Sequence, residues 1–123
     1  MGKGYRQGRL GVEIKKTISS MLLRELKDPR LSGMISITDV DVTRDGSYAT
    51  CYVTVLDLSQ DPDQAKAREE EVLEGLKSSA PVIRGEIGKG LKLRRVPELI
   101  FKIDRSMEYG THIDEMLKKL DLD

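Results

Sequence analysis

The spacing of apolar residues changes along this chain, and that change restricts the possible fold more than any other feature of the sequence. Near the N-terminus apolar residues recur at every fourth position, which predicts a helix over residues 9–27. Between residues 34 and 56 they alternate with polar residues instead, which predicts two strands, 34–43 and 48–56, joined by a turn at 44–47. The helical positions are Leu10, Ile14, Ile18, Leu22 and Leu26, with Met21 beside them.

The alternation in the first predicted strand changes phase partway along. Ile35 and Ile37 share one phase and Val40 and Val42 share the other, so we expect a bulge near Thr38 or Asp39. The second strand keeps one phase, which predicts that Ala49, Cys51, Val53 and Val55 lie on one face and Tyr48, Thr50, Tyr52 and Thr54 on the other.

The second half of the chain returns to helical spacing. Residues 64–77 predict a helix with an acidic face through Glu69, Glu70, Glu71 and Glu74, and Pro81 predicts a break over residues 78–81, after which a second helix starts. Residues 98–104 predict a third strand, and residues 111–122 a short C-terminal helix. We expect one α+β domain over residues 1–106, with three strands packed on helices, and an extension over residues 107–123 that is helical or partly disordered.

Composition excludes several function classes. The chain has 123 residues, one histidine and one cysteine, which leaves no cluster for a metal site or a nucleophilic triad, and we expect no cofactor and no catalysis. No apolar run approaches the ~20 residues of a membrane span. The N-terminus has no apolar segment typical of a signal peptide, so the sequence predicts a cytoplasmic protein without a membrane partner, acting as a monomer.

Charge is unevenly distributed although the formal net charge is zero. Residues 1–30 and residues 77–105 each carry eight Lys/Arg against three Asp/Glu, while residues 57–76 carry a net charge of −5. A polyanion responds to the local patch within a Debye length, ~8 Å at physiological ionic strength, and not to the total. A basic phosphate-binding surface and a merely solvated charged surface both fit this pattern.

The order helix, strand, strand, broken helix, strand resembles the type II KH fold, an RNA-binding platform whose two helices usually meet at a GXXG junction. Gly85-Glu86-Ile87-Gly88 matches that motif, but Ile83, Ile87 and Leu91 keep the helical phase through it, so we interpret the match as coincidental. Residues 85–90, GEIGKG, likewise lack the spacing and the Ser/Thr of a nucleotide-binding loop.

Beyond the order of its elements, the sequence from about residue 5 to residue 113 resembles the ribosome-binding factor A family. The segments that carry the resemblance are Asp28-Pro29-Arg30, Arg44-Asp45, Tyr52-Val53-Thr54 and Arg94-Arg95-Val96-Pro97-Glu98-Leu99. The resemblance implies an Ala-x-Gly kink in place of GXXG, and this chain has Ser79-Ala80-Pro81 there, so residue 81 has no backbone N–H to donate to phosphate.

The resemblance implies a non-catalytic assembly factor that binds the small ribosomal subunit and its precursor rRNA late in maturation and supports processing of the rRNA 5′ end, with ribosome-associated GTPases as further partners. The predicted RNA-binding residues are Arg6, Arg9, Lys15, Lys16, Ser79, Ala80, Arg84, Lys89, Lys92, Arg94 and Arg95. Two alternatives stay open: a protein-interaction module that uses the acidic helix, and an enzyme with a sparse active site.

Overall fold

The computed structural model describes residues 7–24, 26–31, 35–56 and 61–105 and confirms the α+β class. Its elements are α1 (Gln7–Arg24), a 3-10 turn (Pro29–Leu31), β1 (Ile35–Val42), β2 (Tyr48–Val55), α2 (Pro62–Leu91) and β3 (Glu98–Ile103). The predicted C-terminal helix and the boundary near residue 106 lie outside the described residues.

The three strands form one mixed sheet in the order β1-β2-β3. β1 and β2 pair as an antiparallel hairpin, and β3 pairs parallel to β2 after the long connection through α2. The register of β1 shifts between Ile37 and Asp39, which confirms the expected bulge. The hydroxyl of Thr38, the bulged residue, donates to the carboxylate of Asp104, so the bulge is tied to the chain that leaves β3.

Both helices pack on one face of the sheet, and the core lies between the two layers. The stripe of α1 buries Ile14, Ile18 and Met21. On the predicted inner face of β2, Ala49, Cys51 and Val53 are fully buried and Val55 is half-buried. Burial raises the pKa of the Cys51 thiol to about 12, so this side chain is a neutral core residue at physiological pH.

The predicted break into two helices is wrong, because α2 runs as one helix from Pro62 to Leu91 with Pro81 inside it. Proline lacks the N–H that would bond to the carbonyl four residues earlier, a defect of about 3 kcal/mol in a helix interior. The flanks outweigh that defect, since Val72 and Leu76 before it and Ile83 and Ile87 after it are fully buried in the same core. These four residues keep one helical phase across Pro81, so a break would expose one pair or the other.

Gly11 lets α1 approach β1 closely. A Cβ atom at this position would lie 2.5 Å from the carbonyl oxygen of Val40, which belongs to the backbone and has little room to move. Gly85, in the interior of α2, has nothing within 4 Å of the corresponding point. Close packing of α1 on β1 therefore requires a glycine at residue 11, whereas the space around residue 85 would accept a larger side chain.

We predict opposite effects of the same substitution at these two glycines. Gly11→Ala should lower the free energy of unfolding by about 2 kcal/mol through overpacking, whereas Gly85→Ala should raise it by about 1 kcal/mol through helix propensity. Urea unfolding of both variants measures the difference. A gain in stability at Gly11 would show that α1 does not lie this close to β1.

A carboxylate–guanidinium pair fixes the connection between α1 and β1. Asp28 accepts from the backbone N–H of Arg30 at 2.9 Å, and its Oδ2 lies 2.6 Å from Nη2 of Arg30. The same guanidinium donates to Ser78 Oγ at 3.2 Å, and the side chain of Arg68 donates to the Arg30 carbonyl at 2.9 Å. Asp28-Pro29-Arg30 thus fastens this connection onto the middle of α2, where Leu31 packs against Gly75.

This pair predicts a defined pH dependence. Hydrogen bonds from Arg30 lower the pKa of Asp28 from its ordinary 3.8 to about 2. The folded state therefore binds this proton less readily than the unfolded chain, so the contribution to stability is present above pH 3.8 and is lost as the pH falls through about 2. We expect Asp28→Asn to be less stable than the wild type at pH 7, with the difference closing as the pH falls to 2. Urea unfolding at a series of pH values tests this, and a pH-independent difference would contradict it.

Candidate RNA-binding surface

The end of α2 and the residues after it display a cluster of cations. Lys89 lies in the last turn of the helix, and Lys92, Arg94 and Arg95 follow in the connection to β3; all four side chains are exposed. We call residues 92–95 the basic turn. Within the described part of the chain, none of these four side chains forms an ion pair or a side-chain hydrogen bond. Their charge is thus available to a partner, although Lys89 also complements the negative end of the helix dipole.

The connection that carries the basic turn is held at its β3 end. Arg84 donates through Nε to the carbonyl of Pro97 at 3.0 Å and through Nη2 to that of Val96 at 2.9 Å, and its Nη1 lies 3.6 Å from Glu98 Oε1. Pro97 is buried, and a methyl group of Val96 lies 3.1 Å from the Cβ position of Gly88. Arg94 and Arg95 therefore precede a fixed segment, which would reduce the conformational entropy lost on binding a partner.

Arg84, one of the predicted RNA-binding residues, has contacts within the protein. The guanidinium is committed to two backbone carbonyls and a carboxylate. These contacts hold residues 96–98, which follow the basic turn directly. Sequence alone showed no sign of this, because the carbonyls that it contacts come together only after α2 and β3 have packed.

Lys92 adopts a left-handed backbone conformation, with φ 52° and ψ 43°, as the C-cap of α2. This conformation costs a non-glycine residue roughly 1 kcal/mol, and glycine is the usual solution. A lysine here is poorly explained by folding.

We therefore predict that Lys92→Gly is more stable than the wild type by about 0.5 to 1 kcal/mol and binds RNA more weakly. Thermal melting and an RNA-binding titration measure the two effects. Lys92→Asn, which tolerates the same conformation without charge, is the control and should lose binding to a similar extent. A fall in stability for both variants would show that the Lys92 side chain stabilises the helix end instead.

Part of α1 borders the same region. Lys16, Thr17, Ser20 and Met21 of α1 line a shallow groove together with Glu86 and Gly90 of α2. On α1, the carboxylate oxygen Oε2 of Glu13 lies 3.9 Å from Nη2 of Arg9 and 3.8 Å from Nζ of Lys16. Two of the predicted residues of α1, Arg9 and Lys16, thus belong to the side of the helix that adjoins the end of α2.

The other predicted residues are more scattered. Lys15 precedes Lys16 on α1 and lies one helical turn before Ser19. Ser19 lines a separate groove that also includes residues of β1. Ser79 and Ala80 are half-buried in the middle of α2, and Arg6 lies outside the described residues. Among the described residues, Lys89, Lys92, Arg94 and Arg95 thus form one cluster at the end of α2 with Arg84 beside it, and Lys16 adjoins this end of α2 across the shallow groove.

The continuous helix also separates the two signs of charge. Glu70 and Lys89 lie 19 positions apart on α2. At 1.5 Å per residue this corresponds to about 28 Å along the axis. Since charges farther apart than ~8 Å are largely screened at physiological ionic strength, the acidic half does not neutralise the basic end.

In the described ranges, no group of three or more His, Cys, Asp or Glu is arranged to hold a metal ion. None of the helices described is both long and apolar enough to cross a membrane.

The element order and the mixed sheet define the class of protein, which is a KH-like α+β domain with a basic turn after its long helix. Solved structures share this fold. A Thermotoga maritima protein solved by NMR in solution is 31% identical with a TM-score of 0.65, covering 83% of this chain and 90% of that one. A homology model of Thermus thermophilus ribosome binding factor A, fitted into a cryo-EM map of a 30S complex, is 20% identical with a TM-score of 0.61, covering 80% of this chain and 96% of that one.

Sequence comparisons identify the family. The family model for ribosome-binding factor A matches residues 6–117. A Clostridium botulinum (strain Loch Maree) ribosome-binding factor A is 49% identical over 94% of this chain and 91% of its own. The Caldanaerobacter subterraneus subsp. tengcongensis protein of the same name is 48% identical over 94% and 89%. The chain belongs to the ribosome-binding factor A family.

Proposed function

We propose that this protein binds the small ribosomal subunit and its precursor rRNA during late maturation and supports processing of the rRNA 5′ end without catalysing it. The observation that carries the proposal is the basic turn, which presents Arg94 and Arg95 on a connection fixed by Arg84. Membership of the family and the 30S complex of the Thermus relative support the choice of partner.

The chemistry of this surface suits RNA backbone. Arginine and lysine side chains that lack internal partners bind phosphate oxygens, and such contacts position a protein without reading sequence. In the described part of the chain the aromatic side chains are Tyr48, Tyr52 and Phe101, all on the sheet, so the helix end offers phosphate contacts and no base stacking. Folded rRNA, recognised by shape and charge, is the partner that fits.

The proposed contacts have an order of importance. Lys89, Lys92, Arg94 and Arg95 form the centre of the contact, Arg9 and Lys16 extend it across the groove between the helices, and Arg84 positions the basic turn. Arg6, Lys15, Ser79 and Ala80 stay predictions. Action as a monomer in the cytoplasm, with ribosome-associated GTPases as further partners, belongs to the same proposal.

Sedimentation of the purified protein with precursor and with mature small subunits tests the function. We expect preferential binding to the precursor, falling steeply as salt rises, because the contacts release counterions from RNA. A Glu70→Lys, Glu71→Lys, Glu74→Lys variant tests the alternative. If binding needs these carboxylates and not the basic turn, the protein docks through its acidic helix onto another protein, and the RNA-binding proposal is wrong.

A further inference from the structure

The outer face of the sheet is a second surface without an assigned role. Both described helices pack on the inner face, so the side chains that point outward from the strands are open to solvent in the described part of the chain. Tyr48 and Ile100 are 49% and 38% exposed. Large apolar side chains in the middle of a solvent-facing sheet are a mark of interaction surfaces when they are grouped.

The register groups these side chains. Thr50 on β2 lies opposite Ile100 on β3, and Tyr52 lies opposite Lys102 in the next pair on the same face. Side chains of directly paired residues have Cβ atoms about 5 Å apart. On this face β2 and β3 therefore present a strip in which Tyr48, Tyr52 and Ile100 alternate with Thr50 and with the charged side chains of Glu98 and Lys102.

The bulge in β1 adds two carboxylates along one side of this strip. Because the register shifts at Thr38, Asp39 and Asp41 both point outward while Ile37, Val40 and Val42 are buried. Asp39 pairs with Tyr52, and Asp41 pairs with Thr50. Asp39 Oδ1 accepts from the N–H of Val40 at 3.0 Å, which fixes its carboxylate.

The charge of this face is opposite to that of the basic turn. Asp39, Asp41 and Glu98 are negative and Lys102 is positive, and Glu98 also neighbours Arg84. A net negative surface repels RNA, and it equally repels a second copy of itself. A cationic protein segment is the occupant that both the carboxylates and the tyrosines favour, since arginine forms ion pairs with carboxylates and stacks on aromatic rings.

We propose that the outer face of the sheet binds an extended, arginine-rich or lysine-rich protein segment in which the basic residues alternate with other residues. Asp39 and Asp41 are two residues apart on a strand, which separates their side chains by about 7 Å. An extended segment repeats its side chains at the same interval, so consecutive cations on one side of it meet both carboxylates. The side chains between them lie over Tyr48, Tyr52 and Ile100.

A peptide titration followed by NMR tests this proposal on the full chain. The probe is a short peptide in which arginine alternates with threonine, compared with a peptide of the same composition whose arginines are contiguous. We expect the alternating peptide to shift the amide signals of β1, β2 and β3 residues and to bind more tightly than the contiguous one. Asp39→Asn with Asp41→Asn should weaken binding by about fivefold to tenfold, the effect of two exposed ion pairs.

The controls separate this face from other acidic surfaces. Glu70→Gln with Glu71→Gln removes the same charge from α2 and should leave the affinity unchanged. Tyr48→Thr, at an exposed strand position, should weaken binding without loss of the fold. The proposal is overturned if the peptide shifts α2 instead, if both peptides bind equally, or if a single-stranded RNA oligonucleotide shifts the outer face of the sheet and the peptide does not.

Discussion

Reversing the charges of Arg94 and Arg95 together to Glu is expected to weaken binding to the small ribosomal subunit by on the order of 100-fold at physiological salt, because two phosphate contacts are replaced by two repulsions. The slope of log affinity against log salt concentration should become shallower by about 2, since each arginine neutralises about one phosphate. Both side chains are exposed and have no partner among the described residues, so the free energy of unfolding should change by no more than about 0.5 kcal/mol. Co-sedimentation at several salt concentrations, with a thermal melt of the same variant, measures all three quantities.

The matched control for this variant is Arg24→Glu with Lys27→Glu. These two cations are also exposed, and they lie at the other end of α1 from Arg9. The control makes the same change in total charge, so any effect of net charge alone appears equally in both variants. If the two double variants lose affinity to the same extent, the basic turn is not the site and only the overall charge matters.

Pro81→Ala is expected to stabilise the protein by about 2 kcal/mol. Alanine restores the N–H donor that the continuous helix lacks at this position and removes the clash of the proline ring with the preceding turn, a gain of about 3 kcal/mol. Proline also restricts the unfolded chain, and removing that restriction returns up to about 1 kcal/mol. For a domain of this size the net effect should raise the melting temperature by roughly 10 °C. Urea unfolding with linear extrapolation gives the free energy directly.

Pro62→Ala provides the comparison, because Pro62 is the first residue of the same helix, where no N–H is required. We expect it to change the free energy of unfolding by less than about 0.5 kcal/mol. An equal response at both prolines would mean that residues 78–81 do not take part in a continuous helix and that the family's kink persists in this chain.

The sequence by itself determined the elements whose signal is local. The four-residue spacing in α1 predicted which side of that helix is buried. The alternation of apolar residues, with its change of phase, predicted two strands and the bulge in β1. It also determined where charge concentrates, and the segments that resemble the ribosome-binding factor A family identified the family. Each of these inferences depends on residues close together in the chain, for which periodicity records the face that must leave water.

The tertiary structure alone decided the questions that depend on contacts between distant segments. Pro81 locally favours a break, but burial of Val72 and Leu76 on one side and of Ile83 and Ile87 on the other keeps α2 whole. The role of Arg84 depends on carbonyls twelve and thirteen residues away, and the parallel pairing of β3 with β2 depends on the whole length of α2. A local pattern shows that a face is buried, but it does not show which segment covers that face. The continuity of α2, the contacts of Arg84 and the pairing of β3 therefore follow only from the packed core.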